Sequence, residues 1–173
     1  MNKIKVLAAG IIVLIAAASF MEKDQTIKAD NSIRRIYQIR KTDPPCIQVY
    51  ESIEKYSDSF NIPKRYAYGI ANTETSYKGP FHWGYKHSQV SCAGAVGPMQ
   101  VMVSTARWIN KDGVSKSKLM NDIEYNVYTS MKLLRILYDK RKDWKLVFGE
   151  YNTGRPCVNG YAEKVYRYQL NWK

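Results

Sequence analysis

Apolar residues recur at helical spacing along most of this chain, and no convincing two-residue alternation replaces that pattern anywhere. Asp43 is a good N-cap and Pro44 a good first helical residue, and behind them Ile47, Tyr50, Ile53, Tyr56 and Phe60 share one helical face. Pro63 opens a second helix, with Tyr66, Ile70 and Ala71 on one side and Glu74 about one turn further on. Residues 78–93 lose the period and contain Gly79-Pro80, His82-Trp83-Gly84-Tyr85 and Cys92, which predicts a long loop. Further helices are predicted from Met99 to Ile109, from Asp122 to about Lys140 (with Val127, Met131, Leu134 and Leu137 on its face), from Trp144 to Tyr151, and from Tyr161 to Leu170. The expected fold is all-α, with little or no sheet.

The N-terminus follows a different plan. Lys3 and Lys5 precede a nearly unbroken apolar run from Val6 to Phe20, and Ala16-Ala17-Ala18 near its end offers a cleavage site. The stretch from Ile4 to Met21 is 18 residues, just long enough to cross a bilayer uncut. Both readings, signal peptide and signal anchor, export the rest of the chain to the periplasm, the envelope or the medium, or to a phage virion and its host's envelope. Residues 22–42 then read as a charged linker, leaving 43–173 as one domain.

Charge narrows the partners. The 173-residue chain carries +12, and residues 43–173 keep +7 from 19 basic and 12 acidic side chains. Such a surface seeks an anionic partner, whether nucleic acid, anionic lipid or an acidic wall polymer. No nucleic-acid-binding motif is present, and an export signal argues against that partner. Cys46, Cys92 and Cys157 would enter an oxidising space, where one disulfide and one thiol is the simplest arithmetic. Cys92 with Cys157 is the preferred pair, because each adjoins a motif that must converge on one cleft. The wide cysteine spacings and only two histidines, His82 and His87, disfavour a metal site, and no cofactor is implied.

Three segments carry the candidate chemistry. Glu74-Thr75 ends an amphipathic stretch, where apolar surroundings can raise a carboxyl's pKa enough for it to deliver a proton at neutral pH. Gly94, Gly97 and Pro98 make a tight turn leading to Met99 and Gln100; the glutamine suits hydroxyl and acetamido groups, while the methionine can equally be core filling. Tyr151-Asn152-Thr153-Gly154 ends a short helix with glycine at the C-cap, and Tyr151 can aim its hydroxyl at the carboxyl or at a sugar.

In that order the three segments resemble the soluble-lytic-transglycosylase-like domain of peptidoglycan lytic transglycosylases, with g-type lysozymes as cousins. The family carries Glu-Ser, Gly-Leu-Met-Gln and Tyr-Asn-Ala-Gly; this chain has Glu74-Thr75, Gly97-Pro98-Met99-Gln100 and Tyr151-Asn152-Thr153-Gly154. Asn126, and Tyr161 with Lys164-Val165, also match recurring family positions, so the likeness spans about residues 44–170. It implies a lysozyme-like fold and cleavage of the MurNAc–GlcNAc β-1,4 bond by Glu74 as sole acid and base, leaving 1,6-anhydroMurNAc ends. It also implies that Thr75, Met99, Gln100, Tyr151, Asn152 and Tyr161 bind substrate, with Tyr151 holding Glu74 or the acetamide.

The chain departs from the family at Thr75, at Pro98 and at Val103, where a proline commonly follows the methionine. Its loop between Tyr77 and Gly94 is longer, so His82, Trp83 and Tyr85 are expected to add a wall to the cleft. Glu150 is a candidate second carboxylate, which would favour hydrolysis at a separation of roughly 6.5–9.5 Å. The expected partner is the glycan strand of peptidoglycan, together with the membrane if the leader is uncut and a secretion, conjugation or phage-entry complex that needs the wall opened locally. A lysozyme-type muramidase and a catalytically silent wall-binding module are the competing readings.

Overall fold

The computed structural model describes residues 39–172, which form one helical unit. Its helices are α1 (Pro45–Ser59), α2 (Lys64–Thr75), α3 (Val103–Asn110), α4 (Lys116–Asn121), α5 (Ile123–Arg141), α6 (Trp144–Thr153) and α7 (Gly160–Tyr166). The extended pairing among the described residues amounts to two isolated bridges, Val90 with Val96 and Val96 with Val101. The expected signal or anchor, residues 1–21, lies outside the described residues. Among the described residues no helix is long and apolar enough to cross a membrane.

The long α5 is the spine, with α1, α3, α4 and α6 packed along it. Asp122 caps its start by accepting from the Tyr125 amide, and Lys142 ends it in the left-handed conformation, φ 57°. Helix α2 is buried all round through its middle, from Tyr66 to Ala71, as a helix must be when neighbours cover every face. It packs between α1 and α7. Gly69 permits the close approach of α7 and of the tail behind it, since a Cβ there would stand 3.2 Å from Val165 O and 2.9 Å from Tyr168 Cβ. Beyond α7 the chain crosses back, and Trp172 sets its ring edge-on against Tyr68, centroids 4.8 Å apart.

The elements depart from the expected spans in four places. The α1 cap is Pro44, and Asp43 makes no capping bond. Helix α3 begins at Val103 and not at Met99, because positive φ at Gly97 (81°) and Gln100 (49°) closes a separate turn first. The last helix stops at Tyr166, where the tail turns back over Tyr68. The short α4 was not foreseen; it buries only Leu119 and so leaves no periodic trace.

The disulfide expected between Cys92 and Cys157 is not formed, and Cys46, Cys92 and Cys157 are all free thiols. Cys157 lies behind α6, where its carbonyl would collide with a Cβ at Gly149, and its Sγ is 3.7 Å from Thr153 Oγ1. Cys92 instead sits exposed in the turn that Gly94 closes by donating its amide to Ser91 O at 2.9 Å.

Candidate active site

Glu74 occupies the last turn of α2, half-buried, and Ser76 ends the helix beyond it at φ 57°. Burial raises the carboxyl's pKa above the ordinary value; the Tyr161 hydrogen bond and the nearby Lys164 charge pull the other way without cancelling it. Tyr161 donates its hydroxyl to Glu74 Oε1 at 2.6 Å. The tyrosine's own pKa is pushed well up by burial and by the adjacent carboxylate, so it remains an O–H donor. Oε1 is thus engaged as an acceptor.

Tyr161 thus makes the bond to Glu74, one of the two parts expected of Tyr151. The Tyr151 hydroxyl donates to Met99 O at 2.6 Å and accepts from Ser130 Oγ at 2.9 Å. Its bonds go to the turn and to α5, not to Glu74. It still lies close enough to feel the charge of Glu74, which adds to the effect of burial in raising its pKa.

The turn from Val96 to Val101 is held from several sides. Asn126, buried in α5, accepts from the Met99 amide at 3.0 Å and donates to Val96 O at 2.8 Å and Leu119 O at 2.9 Å. Gly97 makes room for it: a Cβ there would collide with the Asn126 amide and stand 2.8 Å from Leu119 O. Thr75, 4% exposed, sets its hydroxyl 3.0 Å from both Ala71 O and Pro98 O and 2.7 Å from the Tyr85 hydroxyl. One proton serves the two carbonyls while the tyrosine supplies its own, so Thr75 bolts the end of α2 to the turn. Met99 is fully buried, and the Gln100 side-chain amide donates to Gly97 O (2.9 Å) and Gln89 O (3.1 Å).

Among the other expected residues, Tyr85 is 5% exposed and belongs to the core beside Tyr77, so it cannot serve as a cleft wall. His82 is half-buried with its ring tilted against Tyr85, whereas Trp83 is 64% exposed. Asn152 is exposed and accepts a long bond from Asn159, 3.4 Å, while Asn159 caps α7. Glu150 forms a two-pronged pair with Arg141 (2.6 and 2.9 Å), and those bonds hold its carboxyl below the ordinary range. Two contributors were not anticipated. Ser130 stands one turn after Asn126 on the same face of α5, and that spacing is the signal that marks it. Gln89 joins Thr75 O to the loop at 3.2 Å, and no sequence pattern marks it.

Fold and site define an all-α domain built around one protonatable carboxyl under a tyrosine hydroxyl. The chain belongs to the transglycosylase SLT domain family, whose model matches residues 51–171. Among solved structures it is similar to the 70-kDa soluble lytic transglycosylase of Escherichia coli, also seen in complex with bulgecin A, at 23% identity and a TM-score of 0.52. It is also similar to an inactive glutamate-to-glutamine mutant of the lytic transglycosylase Slt from Pseudomonas aeruginosa, at 16% identity and a TM-score of 0.50. The matches cover 69% and 60% of this chain but only 20% and 16% of those proteins, so the likeness is to one domain of each and concerns the fold. Among curated proteins none matches the sequence.

Proposed function

We propose that this domain is a peptidoglycan lytic transglycosylase with Glu74 as its single acid and base. The observation that carries the reading is the 2.6 Å bond from Tyr161 to Glu74 Oε1 on a carboxyl whose pKa burial has raised. Membership of the SLT domain family supports it. The protonated Glu74 carboxyl gives its proton to the glycosidic oxygen as the MurNAc C1–O4 bond to GlcNAc breaks. The substrate's acetamido group stabilises the glycosyl cation. The Glu74 carboxylate then takes the proton of the MurNAc 6-hydroxyl as that oxygen attacks C1, which closes the 1,6-anhydro ring and restores the acid without consuming water.

Tyr161, Tyr151, Thr75 and Asn126 are positioning residues in this scheme. The first orients the carboxyl, and the others hold the Gly97–Gln100 turn against the end of α2. Substrate is met by the surface of that turn, with Asn152 and the exposed ring of Trp83 offering a polar group and a flat apolar face to sugars. The glycan strand of the wall is the substrate, in the periplasm or envelope. Service to a secretion, conjugation or phage-entry complex is the expected setting. A hydrolytic route through Glu150 is disfavoured, since Arg141 holds that carboxylate in an ion pair on α6.

The test is the chemistry of the product ends. Purified peptidoglycan is digested, and the muropeptides are treated with borohydride and weighed by mass spectrometry. The reading predicts anhydro ends that resist reduction; reducible ends would make the protein a muramidase.

A further inference from the structure

We propose that the face formed by the last turn of α3 and by α4 docks on an anionic lipid bilayer. Arg107, in the last turn of α3, and Lys111, its C-cap, stand on either side of Trp108 in the chain, and Trp108 is 63% exposed. On α4, Lys116 and Lys118 are also exposed. A single tyrosine brings the two helices together. Asn110, at the end of α3, donates to the Tyr125 hydroxyl at 3.1 Å, and Lys118 Nζ sits 4.1 Å from the centre of the same ring.

No carboxylate neutralises the charge here, whereas several cations elsewhere on the domain are paired. Lys55, Arg141, Lys145 and Arg167 each lie within 3.1 Å of a carboxylate oxygen. Among the described residues, none of Arg107, Lys111, Lys116 and Lys118 has an ion-pair partner, and Asp112 is the one acid between Val103 and Asn121. A large exposed indole near cations without ion-pair partners suits the headgroup layer, where the indole enters the acyl boundary and the cations meet phosphates. A soluble polyanion would use the cations but leave the indole without a partner.

Position agrees with this occupant. Helix α3 leaves the site turn at Val103, and its last turn lies about 9 Å further along its axis. Docking there therefore leaves the Gly97–Gln100 turn at the other end of the helix. The chain also enters the domain beside this face: Lys41 Nζ is 3.6 Å from Asp122 Oδ2, directly after α4. Upstream of that entry point runs the apolar stretch from Val6 to Phe20.

The experiment measures binding of the full chain to vesicles of phosphatidylcholine alone and of phosphatidylcholine with 30% phosphatidylglycerol, at physiological salt. Tryptophan quenching by brominated acyl chains is read in parallel. The apolar stretch contributes equally to parent and variants, so their differences report on this face. The proposal expects tighter binding to the anionic vesicles, a quenched component that Trp108→Phe removes, and a loss of roughly fivefold in anionic-vesicle affinity for each of Lys116→Gln and Lys118→Gln. Unchanged affinity in the lysine variants would overturn it. So would an unquenched Trp108 combined with full displacement by soluble poly(glycerol phosphate), which would assign the face to an anionic polymer.

Discussion

Two opposing influences set the behaviour of Glu74. Burial favours the neutral carboxyl, while the Tyr161 hydroxyl and Lys164 favour the carboxylate, and burial is the larger. A general acid works protonated, so the rate falls as pH rises through the Glu74 pKa. Tyr161→Phe removes an influence that lowers this pKa. The variant should therefore show its falling limb at higher pH, with kcat reduced because the carboxyl is no longer oriented; a pH–rate profile with the limb unmoved would deny the hydrogen bond this role. Stability carries the same signature. A group whose folded pKa lies above its unfolded value stabilises the fold below the unfolded pKa, and that contribution is lost as pH rises through the folded pKa. Glu74→Gln should accordingly melt higher than the parent at neutral to alkaline pH, and the gap should close on acidification. Thermal melts across that range would show it.

Between α2 and α5 the turn from Val96 to Val101 behaves as a clamped part. Asn126→Ala would strip three bonds from buried backbone groups and should cost about 3 kcal/mol or more, read from denaturant midpoints. Thr75→Val leaves Pro98 O and the Tyr85 hydroxyl without their partner, an expected loss of about 2 kcal/mol, whereas Thr75→Ser keeps the hydroxyl and should retain most stability and activity. A larger loss for serine than for valine would place the effect in the methyl group. Most of these elements were legible in the sequence. The apolar periods gave α1, α2, α5 and α6, and Asp122 and Gly154 marked a start and an end correctly. The start of α3 was misplaced because a left-handed Gln100 has no compositional mark, and nothing in Met99 tells a helical residue from one buried in a turn. The tyrosine that bonds the carboxyl differs from the expected one for a related reason. Position in a motif says that Tyr151 is near the carboxyl, but only packing decides that its hydroxyl turns to Met99 O while Tyr161, from α7, reaches Glu74.

At the scale of the whole molecule, helical packing alone holds residues 39–172 together, with no disulfide formed by the three thiols. Reductant should leave the melting temperature unchanged. A thiol reagent should modify Cys92 readily in the native protein and Cys46 only on unfolding, because one is exposed and the other buried. The expected Cys92–Cys157 pair rested on both cysteines adjoining motifs of one cleft, yet adjoining a converging motif does not bring two thiols together; the backbone of Cys157 packs against Gly149 of α6, and both thiols are free. The central claim remains that one carboxyl does the chemistry. Its most direct test is turnover of purified peptidoglycan by the parent and by Glu74→Gln, with circular dichroism confirming that both are folded. The account predicts release of anhydro-ended muropeptides by the parent and a fall of at least about a hundredfold in the variant. A folded Glu74→Gln protein that releases the same products at a comparable rate would contradict it.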